Sequence, residues 1–99
     1  MAEKSGAQLI AEERQRQIDV EGWTAEHDDQ HKEGEMARAA AAYALVDFHG
    51  VETTDVSVLW PWSWEWLKPS NRIRNLVKAG ALLAAEIDRL LRLENGGGS

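Results

Sequence analysis

Cysteine is absent from this 99-residue chain. The absence excludes disulfide bonds, metal sites built on thiolates and catalysis by a thiol nucleophile, and it fits a reducing compartment. Long apolar runs are also missing, so no segment is predicted to span a bilayer. The first residues lead into a charged segment and do not resemble a signal peptide. We therefore expect a cytoplasmic protein that does not enter a membrane.

The motifs of several enzyme classes are missing as well. The chain has no glycine-rich phosphate-binding loop, and no serine lies in the sharp turn that presents a catalytic nucleophile. Ser57 and Ser63 lie among valines or tryptophans and are expected to be structural. These absences leave binding functions and metal-assisted chemistry as the classes to consider.

Basic residues are the minority, 11 against 17 acidic ones, and the net charge is −6. Up to Glu35 the chain carries ten acidic and four basic side chains, whereas residues 72–92 carry five basic and two acidic ones. We favour the interpretation that these two parts pack against each other. The alternative is that the acidic part binds a basic partner or the basic part binds phosphates. Direct nucleic-acid binding by the acidic part is disfavoured, because phosphates are neutralised by lysine and arginine.

Hydrophobic periodicity predicts an all-α domain of three main helices over residues 1–95, followed by a Gly/Ser linker remnant at 96–99. The first helix should cover residues 7–20, begin with a capping box from Ser5 to Gln8, and lie on the outside because its apolar stripe is narrow. The second should begin between Asp28 and Glu33 and run through an alanine-rich stretch to Phe48.

The last helix has the clearest pattern. Ser70 or Asn71 should cap it, and apolar residues then recur at helical spacing to its end. They are Ile73, Leu76, Val77, Leu83, Ala84, Ile87, Leu90 and Leu91. Gly80 is unfavourable inside a helix by about 1 kcal/mol. We therefore expect a close neighbour there, with the alanine face of the second helix as the candidate.

Residues 51–69 lack helical periodicity and are predicted to form a long connection packed on the bundle. A tryptophan stands at every second position, Trp60, Trp62, Trp64 and Trp66. A membrane anchor is disfavoured, because no amphipathic helix accompanies the tryptophans. A ligand-binding or partner-binding surface stays open, but we favour a core role in which all but Trp64 cover the open side of the helices. Ser63 is expected to cap a short turn over residues 64–68.

The densest polar cluster spans residues 26–35. His27 and His31 are four residues apart, so both would project from one face of a helix. Glu26, Asp28 or Glu35 would then complete a site for zinc or a related divalent metal. The favoured alternative is a solvated helix start, where acidic residues interact well with the helix dipole.

Four stretches carry a resemblance to known proteins: ERQRQ at 13–17, EGW at 21–23, GEMARA at 34–39 and LVKAGALLAAEID at 76–88. Together with the Trp-Pro-Trp and Lys-Pro motifs before the last helix, they resemble small phage and prophage proteins. Those proteins are in turn similar to the MazG-type all-α nucleoside triphosphate pyrophosphohydrolases. The resemblance covers most of residues 9–92.

In the resembled enzymes a Glu-x-x-Glu pair on one helix and a Glu-x-x-Asp pair on another hold magnesium, which binds the triphosphate and activates water. The resemblance places the first pair on Lys32 and Glu35 and the second on Asn75 and Lys78. Three of the four carboxylates are therefore missing, and a protonated lysine has no lone pair to offer a metal. We expect no intact magnesium site, and the chain is more consistent with a binding protein than with an enzyme.

Two functions fit these patterns. In the first, the scaffold binds a nucleotide or phosphorylated ligand, with or without a divalent metal, through basic side chains and a tryptophan that stacks on the base. The residues expected to contact that ligand are Lys32, Glu35, Trp62, Trp66, Arg72, Arg74, Asn75 and Lys78. In the second, an acidic host-interaction or counter-defence protein inhibits a host protein such as a nuclease effector. A homodimer is compatible with both, because a three-helix core is thin.

Overall fold

The computed structural model describes residues 3–46 and 56–97. These residues form an all-α domain without a β-strand, as predicted. The three long helices are α1 (Gly6–Asp19), α3 (Glu35–Leu45) and α5 (Arg72–Arg92), and two single-turn helices, α2 (Ala25–Asp28) and α4 (Val56–Leu59), lie between them. A 3₁₀ turn covers Trp64–Trp66, and a π-helical turn, Leu93–Gly97, follows α5. No helix in the described ranges is long and apolar enough to cross a membrane.

Local capping signals place the starts of α1 and α5. The Ser5 hydroxyl accepts a hydrogen bond from the Gln8 amide, and the Gln8 side chain accepts one from the Ser5 amide, which confirms the capping box. Asn71 caps α5 by accepting a hydrogen bond from the Arg74 amide at 2.8 Å.

The second predicted helix starts later than expected. The short helix α2 precedes it, and α3 begins only at Glu35, after Gly34 in a left-handed conformation with φ of 80°. Glycine adopts this conformation without the steric penalty that a side chain brings. The predicted end at Phe48 and the first part of the tryptophan connection lie outside the described residues.

The core lies between α3 and α5. It consists mainly of alanines from both helices, together with Leu82 and two aromatic side chains, Tyr43 and Trp60. Small side chains let the two helices approach closely, and the aromatic rings fill the space that the alanines leave on one side.

The neighbour of Gly80 is α1, so the prediction that the α3 alanine face packs there is wrong. A Cβ atom at Gly80 would lie 2.5 Å from Cδ1 of Ile10. Gly80 lies on the side of α5 that faces α1, whereas Ala79 and Leu82 face α3. The missing side chain therefore sets the separation of α1 and α5.

In α1 and α5 the apolar face of the helix is not the face that is buried. In α1 the most fully buried residues are Glu13 and Gln17, both polar. In α5 most of the predicted stripe is exposed, and the buried residues are Asn75, Val77, Ala79, Ala81, Leu82, Ala85 and Arg89. The apolar stripe is therefore largely exposed, with Val77 its one buried large side chain, because α1 and α3 pack against the polar and alanine-bearing sides of α5.

The acidic and basic parts of the chain pack against each other, as favoured from the sequence. Arg74 of α5 forms an ion pair with Glu13 of α1, and Arg92 pairs with Asp29 after α2 at 2.7 Å. Both pairs join positions more than sixty residues apart in the chain.

The tryptophans differ in their burial. Trp60 is 7% exposed and Trp62 is half-buried, whereas Trp64 and Trp66 are 57% and 62% exposed. The predictions for Trp60 and Trp64 are confirmed, but a core role for Trp66 is wrong, because the 3₁₀ turn projects it outward. Ser63 precedes this turn without a side-chain capping bond, and its carbonyl accepts a hydrogen bond from Trp60 Nε1.

Candidate ligand-binding cleft

A cleft of about 630 Å³ opens among α1, α3, α5 and the tryptophan connection. Small-molecule sites in proteins have volumes in this range. Its polar side is formed chiefly by α1 and α5, and its aromatic side by the segment around α2 and by the connection.

Glu13 anchors the polar side. Its carboxylate accepts hydrogen bonds from Arg16 Nε at 2.8 Å, Arg16 Nη2 at 2.9 Å and Gln17 Nε2 at 3.1 Å, and Arg74 Nη2 completes the cluster. Burial favours a higher pKa for Glu13, but the hydrogen bonds from Arg16 and Gln17 and the two positive charges outweigh it and hold the pKa below its ordinary value. Glu13 therefore stays ionised and fixes the guanidinium of Arg16 at the cleft.

Gln17 borders the cleft and has an unpaired acceptor. Its Nε2 donates to Glu13, which fixes the amide orientation, because a carbonyl oxygen would be repelled by the carboxylate. The Oε1 atom is buried and has no hydrogen-bond partner among the described residues. An unsatisfied buried acceptor costs about 1–3 kcal/mol.

Lys78 supplies a second cation. Its ammonium donates to the Lys68 carbonyl at 2.6 Å and lies 5.5 Å from the centre of the Tyr43 ring. Burial lowers the pKa of Lys78. Burial also raises the pKa of Tyr43, whose hydroxyl accepts a hydrogen bond from the Lys68 amide, so its ring is neutral at pH 7. Within the described ranges no carboxylate forms an ion pair with Lys78, which leaves its charge available to an anion.

An aromatic row forms the opposite side. The rings of Trp23 and His27 are parallel, with centroids 5.7 Å apart. His27 meets His31 edge to face at 4.9 Å, and His31 meets Trp62 in the same way at 5.2 Å. Trp66 also borders the cleft. Aromatic faces of this kind stack on planar heterocycles with little dependence on their identity.

Among the described residues the predicted metal site has no third ligand. His27 Nδ1 lies 3.1 Å from Asp28 Oδ1, and His31 Nδ1 lies 3.5 Å from Glu35 Oε2. Asp28 is fully buried and also accepts a hydrogen bond from Arg14 at 2.7 Å. In residues 3–46 and 56–97 no three histidine or carboxylate side chains converge as metal ligands. The two histidines thus border the cleft as part of its aromatic side.

The structure brings together only some of the residues that the sequence suggested for ligand binding. Lys78, Trp62 and Trp66 line the cleft together with His27 and His31. Lys32 is exposed and does not line the cleft.

The other suggested residues have structural partners. The Glu35 carboxylate accepts a hydrogen bond from the Glu33 amide. Asn75 is buried and bonds both the amide and the carbonyl of Ser70, at 2.6 and 3.1 Å. Arg72 donates to the Ala44 carbonyl, and Arg74 reaches Glu13 without lining the cleft. These side chains hold the ends of helices and the tryptophan connection in place.

Sequence reasoning missed most of the lining residues, among them Glu13, Arg16, Gln17 and Tyr43. Glu13 and Gln17 lie four residues apart, with Arg16 beside them, so α1 has a polar face directed at the basic last helix. This polar face was the signal in the sequence that could have identified them as lining residues. It was weak, because polar residues on a helix are solvated in most proteins.

The cleft therefore combines basic side chains and a row of aromatic rings. Arg16 is paired with Glu13 and Glu21, whereas Lys78 has no carboxylate partner among the described residues. Cations attract anionic groups, and the rings suit a planar heterocycle. No family model, no curated protein and no solved structure matches this chain.

Proposed function

We propose that the cleft binds a nucleotide or a closely related phosphorylated ligand with a planar base. The carrying observation is that Lys78 and Arg16 border the same cleft as the aromatic row. The phosphates would interact with the two cations, and the base would stack on the row.

We further propose that this is a phage-type protein on a degenerate MazG-like scaffold. The all-α fold supports the scaffold, and the three carboxylates missing from the resembled pattern are the reason for calling it degenerate. The resemblance puts Lys78 at the position of one of them, and Lys78 borders the cleft. A positive charge there favours direct contact with phosphate where the resembled enzymes use magnesium, and it favours binding over pyrophosphate release.

Calorimetry against a panel of nucleotides, with and without magnesium or zinc, tests the proposal. We expect Lys78→Gln and Trp62→Ala each to weaken binding about tenfold or more, because a charge-assisted bond or a stacked ring is worth about 1–3 kcal/mol. Lys32→Gln is the matched control, since this lysine is exposed outside the cleft, and its affinity should stay unchanged. The absence of binding to every panel member would refute the proposal.

A second candidate is an acidic protein that binds and inhibits a host protein. Most acidic side chains of the N-terminal part are exposed, among them Glu12, Glu26 and Glu33, and only Glu13 and Asp28 are buried. An acidic surface accelerates association with a basic partner and makes the rate depend on salt.

Retention of a host protein from lysate at low and at high salt tests this candidate. We expect a specific partner at low salt that is largely lost at high salt, and weaker retention by a Glu26→Gln/Glu33→Gln variant. Failure to recover a partner under either condition would contradict this candidate. Retention that changes neither with salt nor with the two substitutions would also contradict it.

A further inference from the structure

The chain has four lysines, which differ in their surroundings. Lys4 and Lys32 are exposed and do not line the cleft. Lys68 lines the cleft but is exposed as well. Lys78 is the one lysine that is half-buried and also borders the cleft. A ligand in the cleft therefore meets the Lys78 amine where bulk water is partly excluded.

The contacts of Lys78 hold its Nζ atom in place without an anion. Nζ donates to the Lys68 carbonyl at 2.6 Å and lies 5.5 Å from the centre of the Tyr43 ring. The Tyr43 hydroxyl accepts a hydrogen bond from the Lys68 amide at 3.0 Å, which fixes the Lys68 backbone on both sides. Among the described residues no carboxylate forms an ion pair with Lys78. A carbonyl oxygen accepts a hydrogen bond from an uncharged amine as well as from an ammonium group, so these contacts do not require the charge.

The surroundings of Lys78 favour its uncharged form. Burial is the largest cause that lowers the pKa of the amine, and the positive charges of Arg74 and Arg16 also lower it. Glu13 and Glu21 act in the opposite direction, but the Glu13 carboxylate already accepts hydrogen bonds from both arginines. A desolvated lysine beside other cations is a stronger nucleophile at neutral pH than an exposed one, because a larger fraction of it is uncharged.

We propose that the Lys78 amine forms an imine with a phosphorylated planar aldehyde bound in the cleft. The imine rests on the proposed function, because both need a cleft that accepts a phosphate and a planar ring. Arg16 uses Nε and Nη2 on Glu13, whereas its Nη1 lies 3.9 Å from Glu21, which is longer than a hydrogen bond. Nη1 therefore donates to the phosphate, the ring stacks on the aromatic row, and the aldehyde carbon reaches Lys78.

The reaction needs only the amine and the aldehyde. The lone pair of the uncharged Nζ attacks the carbonyl carbon, a carbon–nitrogen bond forms, and the π electrons of the carbonyl move to its oxygen. Both hydrogens of the amine then leave with that oxygen as water, and a C=N double bond remains. Addition of water reverses the reaction, so the link becomes permanent only when the imine is reduced.

Labelling of the full chain with pyridoxal 5′-phosphate, a phosphorylated planar aldehyde, tests the proposal. Visible absorption reports the imine, borohydride reduction fixes it, and mass spectrometry of the peptides identifies the labelled lysine. We expect Lys78 to carry at least about ten times the label of Lys68, because a held ligand presents its carbonyl to one amine. Lys68 is the internal control, since it borders the same cleft and is exposed. Equal labelling of the four lysines would overturn the imine.

The substitution Lys78→Arg separates the imine from the positive charge. It keeps a cation at the cleft, but a guanidinium stays protonated and does not attack an aldehyde. We expect it to remove the imine absorption, whereas Lys68→Arg, the matched control, should keep it. Undiminished absorption by Lys78→Arg would contradict the assignment. Circular dichroism verifies that both variants are helical, and the distribution of label in the wild type remains decisive should Lys78→Arg lose its helices.

Nucleotides, which carry no aldehyde, distinguish the imine from the proposed function. We expect labelling of Lys78 that a bound nucleotide slows, because both ligands occupy one cleft. Nucleotide binding measured by calorimetry, together with equal labelling of the lysines, would overturn the imine and leave the proposed function intact. Selective labelling of Lys78 that no nucleotide of the panel slows would support the imine and contradict nucleotide binding.

Discussion

Replacing Trp60 with alanine is expected to lower the free energy of unfolding by about 3–5 kcal/mol. Trp60 is the most buried of the tryptophans in the connection, and its ring meets Tyr43 edge to face at 5.6 Å and Trp62 at 5.3 Å. Its Nε1 donates to the Ser63 carbonyl at 3.0 Å, which ties the ring to its own segment. The core beside it is mostly alanine, so no large side chain is available to fill the space that Trp60 leaves. Urea unfolding followed by circular dichroism measures the effect.

Trp64→Ala is the matched control for Trp60→Ala. This ring is 57% exposed and lies four residues further along the same connection. Its removal should change the free energy of unfolding by no more than about 0.5 kcal/mol. Equal losses for the two variants would show that the tryptophans stabilise the domain collectively, which would contradict the assignment of Trp60 alone to the core.

Removal of the Glu13 carboxylate is the second large expected effect. Glu13→Ala should lower the free energy of unfolding by about 2–4 kcal/mol, because two arginines and Gln17 lose their common acceptor. The loss of unfolding free energy should be smaller than for a fully buried network, because the side chains of Arg16 and Arg74 are partly exposed and can be solvated. Glu12→Ala is the control: its ion pair with Lys4 lies at the surface, where such pairs are worth about 0–1 kcal/mol.

The pH dependence of stability checks the same carboxylate. The folded-state pKa of Glu13 lies below its ordinary value of 4.5, so the ionised form stabilises the fold. This contribution is fully present above about pH 4.5 and is lost as the pH falls through the folded-state pKa. We expect the wild type to lose stability over this acidic window and Glu13→Gln to lose less. Parallel curves for the two proteins would contradict an ionised, stabilising Glu13.

Local signals in the sequence were sufficient for much of the secondary structure. The capping box at Ser5, the cap at Asn71 and the repeat of apolar residues after it predict α1 and α5 to within about a residue. These signals depend on contacts over three or four residues, which the sequence displays directly. The start of α3 was missed by at least two residues, because residues 29–34 carry helix-favouring acidic groups but turn before Gly34.

The candidate cleft was only partly predictable. Lys78 and Trp62 were expected from the resemblance and from the aromatic pattern, and both line it. Asn75 was expected in the site for the same reason, yet it bonds the backbone of Ser70. A resemblance indicates which position along a helix a residue occupies. Whether its side chain reaches the cleft depends on which other helices pack against that helix.

The sequence by itself determined that this chain is all-α, where its two clearest helices begin, and that α5 carries a continuous apolar stripe. Only the tertiary structure decided which faces are buried. Periodicity shows that a helix has an apolar face, but it does not say whether that face meets the chain's own core or a separate surface. Here α1 and α3 cover the other sides of α5, and an ion pair across 61 residues, from Arg74 to Glu13, stabilises a buried carboxylate that local sequence rules place in solvent. Burial depends on contacts between distant segments, and no local pattern encodes them.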